Sequence, residues 1–427
     1  MKTNYRILAN NTYQNNNTYE TGINNNDLII GPSGAGKTRN YVKPNIMQCN
    51  ESLIIADTKG NLIKQVGPLL KEKGYQIKII DYKNITKSHG YNPFDFIGYN
   101  NETKQYNCQD ILTISSTLVP QENSKDPFWD LAARMYLTCL ISYTLECLPK
   151  EEHNLESIYE LLTIIQTSVF DNLIFQLEIE NPKSFAVKQY KMFKNNRQAE
   201  KMNQSIIGIL FEKINELTNN DICTLYHNNK KISFEELSTT KTAIFLTISD
   251  TDRSMDKLAS LFYKQALQSL CTIADNNPSS RLDIPVRFIF DDFATNTIIP
   301  DFDNIISVIR SREIYVSIIL QSITQLNALY GKEKAITIIN NCDNCLYLGG
   351  QDVTTAEFCA IKANKPIQEI LEMPIDRAYL FTRGNKPLEV SKFDITKHDY
   401  YDLLPEASFP KIKQEPDSIH QENTYQI

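Results

Sequence analysis

A chain of 427 residues is long enough to bury a large core and to fill two or three domains. Its net charge of −7, with 41% hydrophobic and 22% charged residues, excludes a strongly basic, histone-like binder and leaves nucleic-acid contact to local patches. No run of 18 apolar residues predicts a bilayer span, the first residues lack the apolar core of a secretory signal, and nine cysteines without framework spacing fit reduced thiols; the expected location is cytoplasmic.

Residues 9–26 are rich in Asn and Thr and are expected to form a loop or short hairpin arm. Asp27 to Ile30 is a short apolar run ending in Gly31, as expected of a buried strand. Leu53 to Asp57 and Ile77 to Asp81 are two more β-branched strands, and residues 61–73 between them carry helical spacing. Alternating strands and helices predict a parallel, doubly wound sheet. From 105 to 235 the strand signal disappears, and Phe128 to Leu148 and Leu155 to Ile165 are amphipathic at the helical period. Strand signals return at Thr242–Ile248, Val286–Phe290, Val316–Leu320, Cys345–Leu348 and Ala378–Phe381. The expected organisation is therefore an arm (1–26), a nucleotide-binding domain in two parts (27–104 and 236–403) interrupted by an all-helical domain (105–235), and a mobile tail (404–427).

Gly31-Pro32-Ser33-Gly34-Ala35-Gly36-Lys37-Thr38 matches G-x-x-x-x-G-K-[ST] and follows a strand, as a phosphate-binding loop must. The glycines let backbone N–H groups curl around phosphates, and the next helix points its N-terminus at them. Lys37 is assigned to the β- and γ-phosphates of ATP and Thr38 to Mg²⁺. A second acidic strand end is also needed, and Val286 to Phe290 runs into Asp291-Asp292. Asp291 is assigned to Mg²⁺ through water and Asp292 to the attacking water. Asp57, at another strand end, competes for the metal; adjacent carboxylates that can divide the two roles favour Asp291. Gln321, ending the next strand, is placed to sense the γ-phosphate. Arg310 is a candidate arginine finger acting in trans, with a solvated arginine as the alternative.

These segments resemble the coupling proteins of type IV secretion and conjugation, the TraG/TraD-like DNA-transfer ATPases. The stretches that carry the resemblance are Gly31–Asn45 (GPSGAGKTRNYVKPN), Asp57–Gly60, Tyr91–Phe94, Asp126–Trp129, Val286–Ala294, Ile299–Phe302, Ile309–Leu326 and Asn341–Thr355, in family order from 27 to about 385. The resemblance implies a RecA-like P-loop NTPase with a mostly parallel sheet and an all-helical insertion. It further implies a homohexamer that uses ATP to deliver single-stranded DNA and its relaxase to channel proteins at the inner face of the membrane. It places Asp291 on the second acidic motif, Gln321 on the sensor glutamine and Arg310 on the intersubunit arginine. Two features depart from the pattern: Asp292 stands where the family usually has Glu, and the usual N-terminal transmembrane helices are not seen. The rivals are a nucleotide-binding adaptor with little hydrolysis that recruits relaxosome proteins, and a related DNA-translocating ATPase outside secretion.

Three other patterns are weighed. Cys342 and Cys345 have half the spacing of a metal site but no partner pair. Thr396-Lys397-His398-Asp399 fits a guanine-recognition pattern by coincidence, because the upstream switch motif is missing. Lys183, Lys188, Lys191, Lys194, Arg197 and Lys201 interleave with Tyr190 and Phe193. That surface can track a nucleic-acid backbone, but a solvated helix whose aromatics face the core is the preferred reading.

Overall fold

The structure, a computed structural model, describes residues 4–121, 127–194, 200–249, 251–293 and 297–408. Asp126 and Ala294 of the motifs above, Arg197 of the basic stretch and residues 409–427 of the expected tail lie outside the described residues. Thirteen strands are described. A hairpin of β1 (Tyr5–Ala9) and β2 (Thr12–Asn15) comes first. There follow β3 (Asp27–Ile30), β4 (Ser52–Ala56), β5 (Gln76–Asp81), the two-residue strands β6 (Tyr99–Asn100) and β7 (Gln105–Tyr106), β8 (Thr242–Thr247) and β9 (Val286–Phe290). The last four are β10 (Ile314–Leu320), β11 (Asn344–Tyr347), β12 (Arg377–Thr382) and β13 (Leu388–Ser391).

Nine of these form one sheet in the order β13-β12-β11-β3-β10-β9-β4-β8-β5. The seven strands from β11 to β5 are parallel, and β12 and β13 add an antiparallel edge. Strands β3, β4, β8, β9, β10 and β11 are buried at every position, which is why they read as unbroken apolar runs. Alternate residues serve opposite faces. Leu28 and Ile30 join one core, which runs on into the helical segment. Ile29 joins the other, with the nucleotide helix and the helix Leu62–Glu72.

Between β7 and β8 the chain is helical. The 20-residue helix Phe128–Cys147 is wrapped by its neighbours, with Tyr136 stacked on Phe193 at 3.8 Å between ring centroids. Tyr190 and Phe193 are buried, so they cannot stack on bases, while Lys183, Lys188, Lys191, Lys194 and Lys201 are exposed. Among the described residues no single helix is long and apolar enough to cross a membrane.

Two segments with polar sequences are tied down. Arg6 of β1 is fully buried and grips Asp27 at the start of β3, with Nε 2.7 Å from Oδ2. Arg287 of β9 reaches the same carboxylate at 3.6 Å and pairs with Glu51. The Tyr41 hydroxyl donates to Asp27 at 2.6 Å and lies 3.0 Å from Ser317 Oγ. The arm is thus stapled to the amino ends of the strands by buried, paired charge. Residues 404–408, expected to open a mobile tail, are held at two points: Leu404 is buried and Glu406 pairs with Lys43 at 3.0 Å and Arg39 at 3.4 Å, while Pro405 and Ser408 are exposed. Its polar composition concealed those ion pairs.

Candidate active site

The site lies at the carboxyl ends of the parallel strands. β3 delivers Gly31, whose N–H donates to Leu320 O at 3.1 Å. A Cβ on Gly31 would fall 2.9 Å from Ala35 Cβ and 3.0 Å from Leu348 Cβ, so no larger residue fits. Gly36 has φ 90°, and a Cβ there would lie 1.8 Å from Asn40 Oδ1. Glycine satisfies both demands. The helix that follows opens as a π-helical turn, Lys37–Val42, and continues as Lys43–Met47. In the wide turn Lys43 N donates to Thr38 O, five residues back, and Pro44, which has no N–H for Asn40 O, follows directly.

Lys37 is buried, and its ammonium donates to the carbonyls of Gly31 at 2.7 Å and Pro32 at 3.0 Å. Burial lowers its pKa, opposed by the charges of Asp292 and Asp291. Thr38 Oγ1 donates to Asp291 Oδ2 at 2.8 Å across 253 residues of sequence. Burial pushes the Asp291 carboxyl up to about 6. The Thr38 hydroxyl and Lys37 oppose that shift, and Asp292 and Asp57 add to it. Two oxygens this close can face one small cation, so the donor set fits Mg²⁺.

Asp292 follows with φ 60°, in the left-handed region that Asp tolerates better than most residues. Gln321 directly follows β10, the strand between those leading to Lys37 and Asp291, and its Nε2 donates to Asp292 Oδ1 at 3.3 Å. Lys37, Thr38, Asp291, Asp292 and Gln321 line one cleft of about 480 Å³, together with Ser33, Gly34 and Gly36.

Asp57, the competing carboxylate, also lines the cleft, but both its oxygens accept backbone N–H groups, from Asn61 at 3.0 Å and Ile63 at 3.0 Å. It caps the helix Leu62–Glu72. Arg310 is elsewhere: it precedes β10 at the amino end of the sheet, exposed, with Nη2 3.5 Å from Thr18 O. The strand between it and Gln321 is about 20 Å long, so it cannot serve the cleft of its own chain. Cys342 and Cys345 are buried, and both thiols are pushed up by burial. Thr396 and Lys397 belong to a 3₁₀ turn, Ile395–Lys397, away from the cleft lining.

The sequence reading missed Arg39, Thr58, Lys59, Asn61 and Gln65 as cleft-lining residues. Their signal was present, because Arg39 lies in the glycine-loop motif and Thr58 and Lys59 in Asp57–Gly60.

The family model described as type IV secretory system conjugative DNA transfer matches residues 2–360. The chain belongs to this family. Among solved structures it resembles the plasmid coupling protein TrwB in complex with the ATP analogue ADPNP, with TM-score 0.66 and 17% identity over 88% of this chain and 86% of that one. The bacterial conjugative coupling protein TrwBdeltaN70 with sulphate gives TM-score 0.64 and 17% identity over 86% and 85%. VirB4 of Thermoanaerobacter pseudethanolicus gives 0.52 and 12% over 86% and 89%. These likenesses show the fold, an α/β fold around a mostly parallel sheet. No curated protein matches the chain. The family assigns a role in type IV secretion DNA transfer.

Proposed function

We propose that this protein is an ATP-driven coupling protein that recruits single-stranded DNA with its relaxase and passes them to a type IV secretion channel. The observation that carries the reading is the contact between Thr38 and Asp291, which joins the glycine loop to the second acidic strand end in one cleft. TrwB, of the same fold, has been solved with ADPNP and with ADP and Mg²⁺.

In this reading Lys37 turns from the carbonyls of Gly31 and Pro32 to the β- and γ-phosphates of ATP. Thr38 and Asp291 would hold Mg²⁺, which when bound would neutralise charge on the phosphate oxygens. Asp292 orients the attacking water, and Gln321 fixes the Asp292 carboxylate while sensing the γ-phosphate. Arg310 serves the cleft of a neighbouring subunit in a homohexamer. Hydrolysis then shifts the population of subunit states and moves DNA. The helical segment 105–235 acts as a separate domain that meets relaxosome proteins, and the chain works in the cytoplasm, against the membrane through its partners.

The test is ATP turnover with and without single-stranded DNA at several protein concentrations. DNA-stimulated turnover that disappears in Lys37→Ala is expected; equal turnover by the two proteins would end the proposal. A second reading, an adaptor that binds ATP without hydrolysing it, is favoured by one observation: Asp292 replaces the longer Glu and is already held by Gln321. Tight ATP binding without turnover, in an assembled sample carrying DNA, selects it.

A further inference from the structure

The segment after β13 crosses behind the glycine loop. Lys392 Nζ donates to Ala35 O at 3.0 Å and to Leu348 O at 3.0 Å. These are the two residues whose Cβ atoms exclude any side chain at Gly31. The neighbouring Phe393 accepts at its carbonyl from Asn40 Nδ2 at 2.7 Å, and Asn40 Oδ1 fills the space beside Gly36 where a Cβ would sit. Both tight glycines are therefore packed against groups that this one dipeptide holds. The segment is itself anchored: Phe393, Ile395 and Leu404 are buried, Lys73 lies 3.7 Å over the Tyr400 ring, and Glu406 pairs with Arg39 and Lys43.

We propose that Lys392 is a positioning residue for nucleotide binding, which presets the glycine loop by bridging it to the end of β11. Loop carbonyls must point away from the phosphates for the N–H groups to face them. An ammonium bridging Ala35 O and Leu348 O from behind holds that orientation before ATP arrives. It also places a second positive charge against a loop whose front carries Lys37. Without it the loop must be ordered by the nucleotide itself, and affinity falls.

The inference rests on the reading of the cleft as an ATP site, and the experiment separates the two. Binding of a fluorescent ATP analogue with Mg²⁺ is measured for the wild type and for Lys37→Ala, Lys392→Met, Lys392→Gln and Lys392→Arg, with thermal unfolding of each protein without nucleotide. We expect Lys37→Ala to lose binding, Lys392→Met to weaken it about tenfold, Lys392→Gln to fall between, and Lys392→Arg to restore it. Unfolding temperatures should stay close together. If Lys37→Ala binds like the wild type, the ATP site itself is wrong. If Lys37→Ala fails and Lys392→Met binds like the wild type, Lys392 has no positioning role. Affinity losses at Lys392 that merely follow the unfolded fraction, including a Met variant that does not fold, would also overturn it.

Discussion

The two ends of the sheet hold charge in opposite ways. At the amino ends, Arg6, Asp27, Glu51 and Arg287 are buried and paired with one another, and Tyr41 and Ser317 close the network. At the carboxyl ends, on three of the same strands, Lys37, Asp291, Asp292 and Gln321 line an open cleft. The paired end sets each buried charge against an opposite one, although Arg287 Nη2 has no hydrogen-bond partner among the described residues. The cleft leaves Asp291 in surroundings that push its pKa to about 6 and Lys37 in surroundings that lower its own. Charge that is unfavourable for the isolated fold and faces a cleft is the pattern of a working site.

The largest expected effect tests the exception at the amino end. Arg310 lies there yet is exposed. As an intersubunit finger its loss costs about 10³-fold in turnover. Arg310→Ala should show that loss at concentrations where the protein assembles, with ATP affinity little changed. Wild-type turnover would return Arg310 to the solvated surface. Next, Asp27→Ala leaves buried Arg6 without a carboxylate, while Arg287 keeps Glu51, and should cost about 3–5 kcal/mol in urea unfolding. A cost under about 1 kcal/mol would mean the network is not a staple.

Asp291→Asn should behave in the reverse way. Turnover falls about 100-fold, while stability near neutral pH rises. The sign follows from the raised pKa: a carboxyl whose folded pKa of about 6 exceeds its unfolded value loses stability as pH climbs through that range. Asn removes the penalty above it, and the two proteins should converge below about pH 4. Melting temperatures across pH check this. A lower melting temperature for Asn at neutral pH would place Asp291 with the staple.

Much of this contrast is legible in the sequence and part is not. The carboxyl-end residues sit in local patterns, a glycine loop and a hydrophobic strand ending in acids, so Lys37, Thr38, Asp291 and Gln321 can be named without coordinates. The six strands buried at every position also announce themselves, because burial on both faces leaves largely apolar runs. The amino-end staple is hidden because Arg6 pairs with Asp27 across 21 residues of sequence and Arg287 with Glu51 across 236, with no motif. β13 was missed for a related reason: as an edge strand it has the polar sequence Leu-Glu-Val-Ser, with its first two residues exposed. Lys392 is an ordinary lysine until the fold lays it behind Ala35.

The smallest effect concerns Asp292→Glu. Two terms oppose each other. Glu extends the carboxylate by one C–C bond toward the position the family favours, which improves its reach to a water and raises the rate by about tenfold at most. Residue 292, however, has φ 60°, where Glu is less comfortable than Asp by about 1 kcal/mol, and the carboxylate must also leave Gln321. We expect turnover with DNA to rise severalfold and the melting temperature to drop slightly. If turnover falls instead, the short side chain and its bond to Gln321 are the arrangement this cleft is built around, and Gln321→Ala should then impair the wild type more than it impairs the Glu variant. If Asp292→Glu creates turnover where the wild type has none, the adaptor reading is the correct one for the natural chain.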